Sequence, residues 1–468
     1  MRRQRGARIG PRWLAIVVLV AGATVPHAWA GQEQAHDIVA HAADLMGGES
    51  TLRGIRRVTL DMMTQWQRTG FRQVPHTDRP SFEPHFDVRD YGIPAWRNTR
   101  DFGARQVRNI IRDSVAVTDF GQGFQPLSVA YVDERDELFT YTPDRLLLAL
   151  LDATALEAPG DTMIGGERHH RVRGTLGGRY LSTVYFHAGT GLPTLLRFRA
   201  GHFADFGLVP WGKMDVEVWY SNWRTFGDIS IPTQWDIERV GAPYKRMTVR
   251  RADFAPEFAP ADSFTITPEQ RSEYWASTAS RPMHEGVEVP EARIHAGGVA
   301  ELGGFGLPAG AVDAGDGWFL LGAGQAAFNY DRAVEALAAV GVDRIRGVVI
   351  GAGTTGNGGV VRAGHAGLPI YASPAAEPFV RTMLANAGES AGTVAVVRDP
   401  LELGTGAHRV LLAPVDLPDS PGSLIVHRPA TGWLWVPGAS TPLDERLARE
   451  RARELGWAVT SVGSLNPA

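Results

Sequence analysis

A loop of closely spaced glycines is the first stretch of this sequence whose residue types suggest a ligand site. Gly351, Gly353 and Gly356 follow the short apolar run Val348–Ile350 at the G-x-G-x-x-G spacing. In dinucleotide-binding proteins this spacing lets a pyrophosphate lie against backbone N–H groups at the start of a helix. Four more glycines follow here and disfavour a helix, and Tyr371–Ser373 ends the next apolar segment without an acidic residue. No Lys-Ser or Lys-Thr pair follows, so the stretch predicts neither a dinucleotide site nor a P-loop.

A second motif, Gly388 to Gly392, fits the G-x-S-x-G pattern of an esterase nucleophile, with Ser390 at its centre. Such a serine is exposed and strained because it lies on a sharp turn from a strand into a helix. In this sequence a helical pattern precedes the motif and a strand pattern follows it, which reverses that order. The motif therefore does not predict a catalytic serine.

Metal ligation is the third chemistry to consider, and histidines would have to provide much of it because the chain has no cysteine. None of the candidate histidines has a sequence spacing typical of metal ligands. They are His169, His170, His187 and His202 in the first half, and His365, His408 and His427 in the second. We expect these to be surface or strand residues.

The composition is that of a globular chain long enough for two or three domains, with 468 residues, 44% of them hydrophobic and 21% charged. The net charge of −4 gives no broad basic surface, so a nucleic-acid partner is not expected. Arginine supplies nearly all of the positive charge, since the only lysines are Lys213 and Lys245. We interpret this scarcity of lysine as compositional bias with little functional content.

The first 30 residues have the three parts of a secretory signal peptide. Several arginines precede an apolar core, Trp13–Val25, which is shorter than an ordinary membrane span. Ala28-Trp29-Ala30 then supplies an A-x-A cleavage pattern. We expect cleavage near Ala30 and a mature chain that is periplasmic or secreted, the alternative being an uncleaved anchor.

From residue 31 to about residue 267 the pattern is one short helix followed almost entirely by strands. Gln34–Leu45 is predicted to be helical and to end at Gly47-Gly48, and Asp144–Leu156 is predicted to be a single helix across the sheet. Period-two alternation and turn residues predict strands at Val58–Met62, Tyr180–Phe186, Leu195–Phe198, Met214–Tyr220, Ile229–Ile237 and Tyr244–Val249.

The order of these segments resembles the periplasmic lipoprotein-carrier and sorting proteins. The matching features are the turn at Gly191–Pro193, the strand at Tyr220–Trp223, Ile231-Pro232 and Asp262–Phe264. The resemblance implies a curved antiparallel β half-barrel with helices, whose apolar concave face holds an acyl chain or another hydrophobic ligand. Six tryptophans are candidates to line that face, with ordinary core packing as the alternative: Trp66, Trp96, Trp211, Trp219, Trp223 and Trp235.

Residues 268–290 are polar and are predicted to be a linker, after which strands alternate with helices. Strands are predicted at Gly317–Leu321, Val348–Ile350, Thr393–Val397, Val410–Leu412, Leu424–Val426 and Trp433–Val436. Helices are predicted at Asp331–Val340, Pro374–Ala387 and Leu443–Leu455.

This second half resembles the metallo-β-lactamase superfamily in the order of its elements. GWFLLGAG corresponds to the family's first strand, and the stretch from Gly347 to Ser373 corresponds to the strand and loop that carry zinc ligands. PDSPGSLIVHRPATGWLWVPGAS corresponds to the last strands. When Gly358-Gly359 is placed on the family's paired glycines, residues that cannot together hold zinc fall at or near the ligand positions: Gly351, Gly353, Thr355, Gly356, Asp419 and Gly438. The resemblance implies an αββα sandwich, but these residues lack the ligands for the zinc that the family uses in hydrolysis.

The sequence as a whole predicts an α+β protein with a signal peptide at 1–30, a carrier-like half-barrel at 31–267, a linker at 268–290 and a metal-less sandwich at 291–468. The predicted function is that of a secreted, non-catalytic protein without a cofactor, which binds a hydrophobic ligand or an envelope protein partner. One alternative is a hydrolase whose site uses Asp416, Asp419, Ser420 or His427. Another is a carrier whose second domain only stabilises the first.

Overall fold

The structure is a computed structural model, and it describes residues 25–66, 81–201, 213–239, 242–255, 263–281, 289–303, 310–324, 326–351, 357–388, 394–418, 420–437 and 441–463. Within these residues, helices are combined with a large curved sheet of antiparallel strands, which confirms the α+β class at this coarse level.

The described strands of the first half form a 14-stranded sheet in which neighbouring strands are antiparallel. They are β1 (Arg57–Trp66), β2 (Ser81–Asp90), β3 (Ala95–Asp101), β4 (Gln106–Arg112), β5 (Val115–Asp119), β6 (Phe124–Pro126), β7 (Leu156–Glu157), β8 (Asp161–Ile164), β9 (Glu167–Leu176), β10 (Tyr180–His187), β11 (Pro193–Gly201), β12 (Lys213–Phe226), β13 (Ile229–Arg239) and β14 (Ala242–Asp253). Their order is β6-β5-β4-β3-β2-β1-β14-β13-β12-β11-β10-β9-β7, with β8 paired to β9. The first and last strands in sequence therefore pair near the middle of the sheet.

Helices cover one face of this sheet, which we call the inner face. The helices of this region are α1 (Val25–Leu45), α2 (Glu49–Gly54), α3 (Ala130–Tyr141) and α4 (Pro143–Leu151). Helix α3 packs on β4 and β5, whereas α4 packs on β9 and β13. Leu146, Leu147 and Leu150 of α4 are fully buried, so this helix contributes a large part of the core under the sheet.

The predicted single helix over Asp144–Leu156 is wrong in its extent. Helix α4 ends at Leu151, Leu156 begins β7, and α3 lies before α4. Pro143 explains the division between α3 and α4. Proline has no N–H for the hydrogen bonds of a continuing helix, but it fits the first turn of a new one. It occupies the first turn of α4 here.

The predicted linker contains an ordered helix, α5 (Pro268–Ala276), which packs on β5 and β6. A capping box starts it: the Thr267 hydroxyl accepts from the Gln270 N–H at 3.3 Å, and Gln270 Oε1 accepts from the Thr267 N–H at 2.8 Å. Tyr274 of α5 is fully buried. The polarity of this segment thus marks an amphipathic helix, and residues 282–288 lie outside the described residues.

The described strands of the second half form two further sheets. The first contains, in spatial order, β15 (Ala292–His295), β16 (Val299–Leu302), β17 (Gly310–Asp313), β18 (Trp318–Leu321), β19 (Ile345–Val349), β20 (Ile370–Ala372) and β21 (Val394–Val396). The second contains β22 (Leu401–Leu403), β23 (Val410–Leu417), β24 (Ser420–Arg428), β25 (Trp433–Trp435) and β26 (Ser461–Gly463). The helices of the second half are α6 (Ala327–Ala339), α7 (Val360–His365), α8 (Glu377–Ala387) and α9 (Pro442–Glu454).

Buried side chains join these two sheets face to face. Phe319 and Val349 of the first sheet share a core with Leu412 and Val426 of the second. A separate core forms between the second sheet and α9, and α6, α7 and α8 pack on the first sheet's side. The predicted strands and helices of this half are therefore present with shifted ends, and they lie in layers.

A short helix follows the glycine-rich loop, although the glycines predicted none. Helix α7 has six residues, with Val360 and Ala363 buried. Its apolar side packs into the core, which offsets the low helix propensity of Gly364. Gly367, with φ of 67°, follows its end.

The predicted signal peptide falls mostly outside the described residues, because the description begins at residue 25. The predicted cleavage site at Ala30 lies within the span of α1, and from residue 31 onward the first buried side chain of this helix is Ala35. None of the helices among the described residues is long and apolar enough to cross a membrane.

Candidate ligand-binding site

Strand β2 places four polar side chains on the inner face of the first sheet. Glu83, His85, Asp87 and Arg89 alternate along the strand, and none of them is more than 4% exposed. The period of two is that of a strand, but polar residues occupy the inward positions that are usually apolar. Buried charges persist only where they are paired and hydrogen-bonded. The partners of these four residues therefore define the site.

A row of cross-strand pairs, which we call the polar floor, extends from β2 to β5. Asp87 lies opposite Asn98, Asn98 opposite Asn109, and Asn109 opposite Thr118. Asn98 Nδ2 donates to Asp87 Oδ1 at 2.7 Å, and the Thr118 hydroxyl donates to Asn109 Oδ1 at 2.7 Å. All four side chains are buried. The polar floor is thus a fixed hydrogen-bonded surface beneath α3.

Arg89 extends the polar floor with a fully buried ion pair. Its Nη2 and Nε donate to Asp87 Oδ2 at 2.7 and 3.2 Å, and its Nη1 donates to the Thr142 hydroxyl at 2.9 Å. Its guanidinium carbon lies 5.8 Å from the centroid of the Trp235 ring. Burial disfavours the cation, but the charge and hydrogen bonds of Asp87 outweigh burial and raise the pKa of Arg89. Arg89 therefore remains charged without access to water.

His85 is held between a carboxylate and an amide. Its Nε2 lies 3.2 Å from Glu83 Oε2, and its Nδ1 lies 3.4 Å from Asn98 Nδ2. The amide nitrogen only donates, so Nδ1 accepts, and the ring proton on Nε2 points to Glu83. Burial lowers the pKa of His85, against the opposing hydrogen bond to Glu83. His85 is thus a neutral imidazole near pH 7.

Lys245 of β14 reaches the same space from the neighbouring part of the sheet. Its Nζ lies 4.4 Å from the centroid of the Trp66 ring and 3.9 Å from Glu134 Oε1 on α3. The ring face and the carboxylate both favour a cation. Burial nevertheless lowers the pKa of Lys245, because the side chain is only 6% exposed. A lysine perturbed in this way in a cleft is a functional-site candidate.

These side chains surround a pocket of about 260 Å³ between α3 and the inner face. Apolar and polar groups both line it: Met62, Trp66, His85, Asp87, Trp96, Asn98, Arg100, Asn109, Tyr131, Glu134, Leu138, Lys245 and Met247. Arg100, Tyr131 and Glu134 are partly exposed and form the rim, whereas the other lining residues are buried. The pocket wall is therefore mixed, and the prediction of an apolar concave face is wrong for this part of the sheet.

Two indole N–H groups in the pocket wall have no hydrogen-bond partner within the described part of the chain. They belong to Trp66 and Trp96, which are 8% and 4% exposed. An indole nitrogen can only donate, and a buried donor without a partner costs free energy. An acceptor that enters this pocket and reaches these groups would remove that cost.

Trp66 and Trp96 are the members of the predicted tryptophan set that line this pocket. Trp235 is buried in the core, where its Nε1 donates to the Pro232 carbonyl at 2.8 Å. Trp219 and Trp223 on β12 are partly exposed and do not line it. Trp211 lies outside the described residues.

Gly351, the first residue at a predicted ligand position of the second half, packs tightly against the second of the two smaller sheets. A Cβ atom added there would lie 2.3 Å from Pro437 Cβ and 2.5 Å from Trp435 Cη2. The Leu424 N–H donates to the Gly351 carbonyl at 2.6 Å. The backbone at this position leaves no room for a side chain. Gly353, Thr355, Gly356, Asp419 and Gly438 lie outside the described residues, so their assignments stay predictions.

The residues of the hydrolase alternative are separated along β23 and β24. His427 lies opposite Leu411, and Asp416 is five residues further along β23, about 17 Å at the usual rise of a strand. Asp416 Oδ1 accepts from the Gly422 N–H at 2.9 Å, while the His427 ring stacks on Trp457 with centroids 5.3 Å apart. Asp419 and the Ser420 side chain are not described. Asp416 and His427 therefore do not form one site.

The described contacts of the candidate histidines include three carboxylate pairs that the sequence pattern did not predict. The pairs are His170 Nδ1 with Asp161 at 2.7 Å, His187 Nε2 with Glu167 at 3.1 Å, and His408 Nδ1 with Asp313 at 2.6 Å. In each of these pairs the histidine ring contacts one carboxylate. Within the described residues, no group of three or more histidine, aspartate or glutamate side chains could hold a metal ion.

The main polar residues of the site were missed because sequence reasoning looked for apolar alternation. β2 was not predicted, since its inward residues are Glu83, His85, Asp87 and Arg89. The signal available in the sequence of β2 was that charged residues alternate with aromatic and apolar ones, which is the period of a strand. The scarcity of lysine alone indicates only compositional bias, but Lys245 lies in a predicted strand, and the structure places it opposite Trp66.

No family model matches the chain, and no curated protein matches it in sequence. Among solved structures, a LolA superfamily protein from Nitrosomonas europaea is 10% identical with a TM-score of 0.32, over 50% of this chain and 97% of that one. The lipoprotein LppX of Mycobacterium tuberculosis is 12% identical with a TM-score of 0.22, over 48% and 97%. A metallo-beta-lactamase from Pontibacter korlensis is 13% identical with a TM-score of 0.27, over 37% and 83%. Likenesses at these values do not establish a shared function.

Proposed function

We propose that this chain is a non-catalytic binding protein of the cell envelope, whose first half holds a small amphipathic ligand between α3 and the inner face. The observation that carries the proposal is the pocket itself. Trp66, Trp96 and Met247 give it an apolar wall, while Asn98 and Lys245 present polar atoms beside that wall. Such a mixture, with a few placed polar groups in an apolar cavity, is typical of small-molecule sites.

The size of the pocket limits the ligand. A volume of about 260 Å³ is just below the ~300–1,000 Å³ usual for small-molecule sites. The pocket therefore accommodates a short chain or one end of a longer hydrophobic molecule, whose remainder leaves past the rim at Tyr131 and Glu134.

Binding of a neutral hydrophobic fluorophore tests this function. N-phenyl-1-naphthylamine should bind the full chain with one of its two ring systems in the pocket and the other past the rim, and should show saturable fluorescence enhancement. Met247→Trp fills the pocket from a position that is 1% exposed, and it should weaken binding at least ~10-fold, the effect of ~1.4 kcal/mol. Glu134→Trp narrows the rim from a partly exposed position and serves if the first variant fails to fold.

The matched control for these variants is Trp275→Phe. Trp275 is 54% exposed on α5 and does not line the pocket, so this change should leave fluorophore affinity within about twofold. Thermal unfolding shows whether each variant is folded. Equal binding by the folded pocket variants and the control would refute the location of the site.

We further propose that the second half is a metallo-β-lactamase-like scaffold without a zinc site. What supports this is Gly351: it has no ligand atom, and Pro437 occupies the space where a side chain would begin. Zinc does not fit such a position, because it is held by imidazole, thiolate or carboxylate groups. Elemental analysis of purified protein tests this, and stoichiometric zinc or iron with hydrolytic turnover would contradict it.

Export is the remaining part of the proposal, with cleavage near Ala30 and a periplasmic or secreted mature chain. From residue 31 onward the first buried side chain of α1 is Ala35, so cleavage after Ala30 would keep Ala35 and the buried residues that follow it. Amino-terminal sequencing of the exported protein tests it. A mature chain that begins at Met1 would contradict it.

A further inference from the structure

We propose that Lys245 binds the ligand covalently and reversibly as an imine, so that the ligand of this pocket is an apolar aldehyde. The inference rests on the proposed function, because it names the chemical class of molecule that the same pocket takes. It also assigns a role to a residue whose position in the core of the first half is costly.

The choice of lysine at this position is informative in so arginine-rich a chain. Of 47 basic residues, only Lys213 and Lys245 are lysine, which leaves 45 arginines. Buried arginines form neighbouring ion pairs, Arg89 with Asp87 and Arg239 with Glu137. Arginine would pair with Glu134 at least as well, but it keeps its proton and cannot act as a nucleophile. A lysine amine can, and imine formation with carbonyl compounds is its characteristic covalent chemistry.

The surroundings of Nζ suit an imine as well as an amine. The Trp66 ring at 4.4 Å and the Glu134 carboxylate at 3.9 Å both stabilise a positive nitrogen. A protonated imine carries its charge on that same nitrogen. Both contacts are therefore retained when the bond forms, and the pocket beside the amine has room for the new substituent.

The charges around Lys245 also make the nucleophilic, neutral amine accessible. Burial lowers the pKa of Lys245, and the positive charges of Arg89 and Arg239 act in the same direction. Glu134 on α3 and Asp87 on β2 oppose them. The amine consequently loses its proton more readily than an exposed lysine does, while a counter-ion remains for the product.

The reaction balances without any oxidant or reductant. The nitrogen lone pair attacks the carbonyl carbon, and a proton moves from nitrogen to oxygen to give a carbinolamine. The proton that the ammonium gave up before the attack then moves to the hydroxyl oxygen, the carbon–oxygen bond breaks, water leaves, and the nitrogen lone pair forms the C=N bond. Overall, an aldehyde and the lysine ammonium give a protonated imine and one water. Glu134, whose carboxylate lies 3.9 Å from Nζ, is the group placed to carry protons during these steps.

The rest of the wall selects an apolar substituent on the aldehyde. Met62, Trp96, Leu138 and Met247 are buried apolar residues of the pocket. The volume of about 260 Å³ lies just below the usual range for small-molecule sites, so a short-chain aldehyde is the size that fits. Octanal is therefore a fitting probe, and octanol is the matched compound without a carbonyl group.

Reductive trapping tests the inference on the full chain. The protein is incubated with limiting octanal and sodium cyanoborohydride, which reduces an imine to a stable secondary amine, and is then digested for peptide mass spectrometry. We expect an octyl group on Lys245 at a rate at least ~10-fold above that of Lys213 and the amino terminus, because the pocket holds the aldehyde beside the amine. Octanol should slow labelling by competition, and urea should abolish the preference for Lys245.

Two variants complete the test. Lys245→Arg keeps the charge and Lys245→Met keeps the length of the stem, and both should abolish octylation of this peptide. Labelling of Lys213 as fast as Lys245 overturns the inference. So does an unlabelled Lys245 in a chain that still binds N-phenyl-1-naphthylamine at the pocket, which leaves the proposed function standing. If the pocket binds neither compound, the proposed function fails as well.

Discussion

Removing the charge of Asp87 should destabilise the first half severely, because Asp87 is the counter-ion of a guanidinium without solvent access. Arg89 is 0% exposed and Asp87 is 1% exposed, and they share two hydrogen bonds of 2.7 and 3.2 Å. Asp87→Asn leaves the volume nearly unchanged but strands a buried cation. Breaking a buried ion pair in this way costs about 3–5 kcal/mol of unfolding free energy.

The double variant separates the ion pair from general packing. Arg89→Met removes the cation and keeps much of its apolar stem, so Asp87→Asn should cost far less in that background. We expect the summed losses of unfolding free energy in the two single variants to exceed the loss in the double variant by at least ~2 kcal/mol, as is found for residues in contact. Urea unfolding followed by circular dichroism and tryptophan emission measures these free energies, with the m value checked for each variant.

An exposed pair of similar geometry serves as the control. Arg53 Nη2 lies 2.6 Å from Asp152 Oδ1, but the two side chains are 43% and 60% exposed. Asp152→Asn should therefore shift the unfolding midpoint much less than Asp87→Asn, because solvent screens exposed pairs. If both substitutions shift the midpoint equally, the buried ion pair contributes no more to stability than the exposed one.

Three further predictions concern pH and packing. The pKa of Lys245 is lowered in the folded state, so below about pH 10.4 the unfolded chain binds more protons than the folded chain. The stability of the wild type should therefore rise relative to that of Lys245→Met as the pH approaches this value. A difference in thermal midpoint that does not change with pH would contradict this. The pKa of His85 is also lowered, so the wild type should lose stability as the pH falls below about 6.5. In urea unfolding, His85→Gln should lose less stability than the wild type between pH 7.5 and 5. Equal losses in the two proteins would refute this prediction. Gly351→Ala should cost about 1–3 kcal/mol in thermal unfolding because its Cβ meets Pro437, whereas Gly54→Ala, with nothing within 4 Å, should not; similar costs would contradict the packing.

The sequence pattern is sufficient to predict the strands and helices whose buried faces are apolar. The strands at Tyr180–His187 and Ile229–Arg239 and the helix at Pro442–Glu454 were predicted within a few residues of their ends. Their apolar residues repeat with the period of a strand or a helix, so local pattern and burial agree. At Pro143 the same reasoning failed, because a single proline begins a second helix.

The sequence pattern is not sufficient to predict strands whose buried side chains are polar. Glu83, His85 and Asp87 are compatible with the inner face only because Arg100, Asn98 and Arg89 on the same face pair with them. Sequence position does not reveal that pairing, since Asn98 and Arg100 belong to the next strand and the register decides which residues meet. The candidate site therefore became recognisable only from the three-dimensional arrangement.

Hydrogen–deuterium exchange of the full chain, with and without saturating N-phenyl-1-naphthylamine, tests the central claim most directly. The account predicts slower exchange on binding in α3, residues 130–141, and in β2 to β4, residues 81–112, because these elements enclose the pocket. It predicts no change in residues 394–437 of the second half. Protection confined to the second half, or bound fluorophore without protection of α3, would contradict the placement of the ligand site.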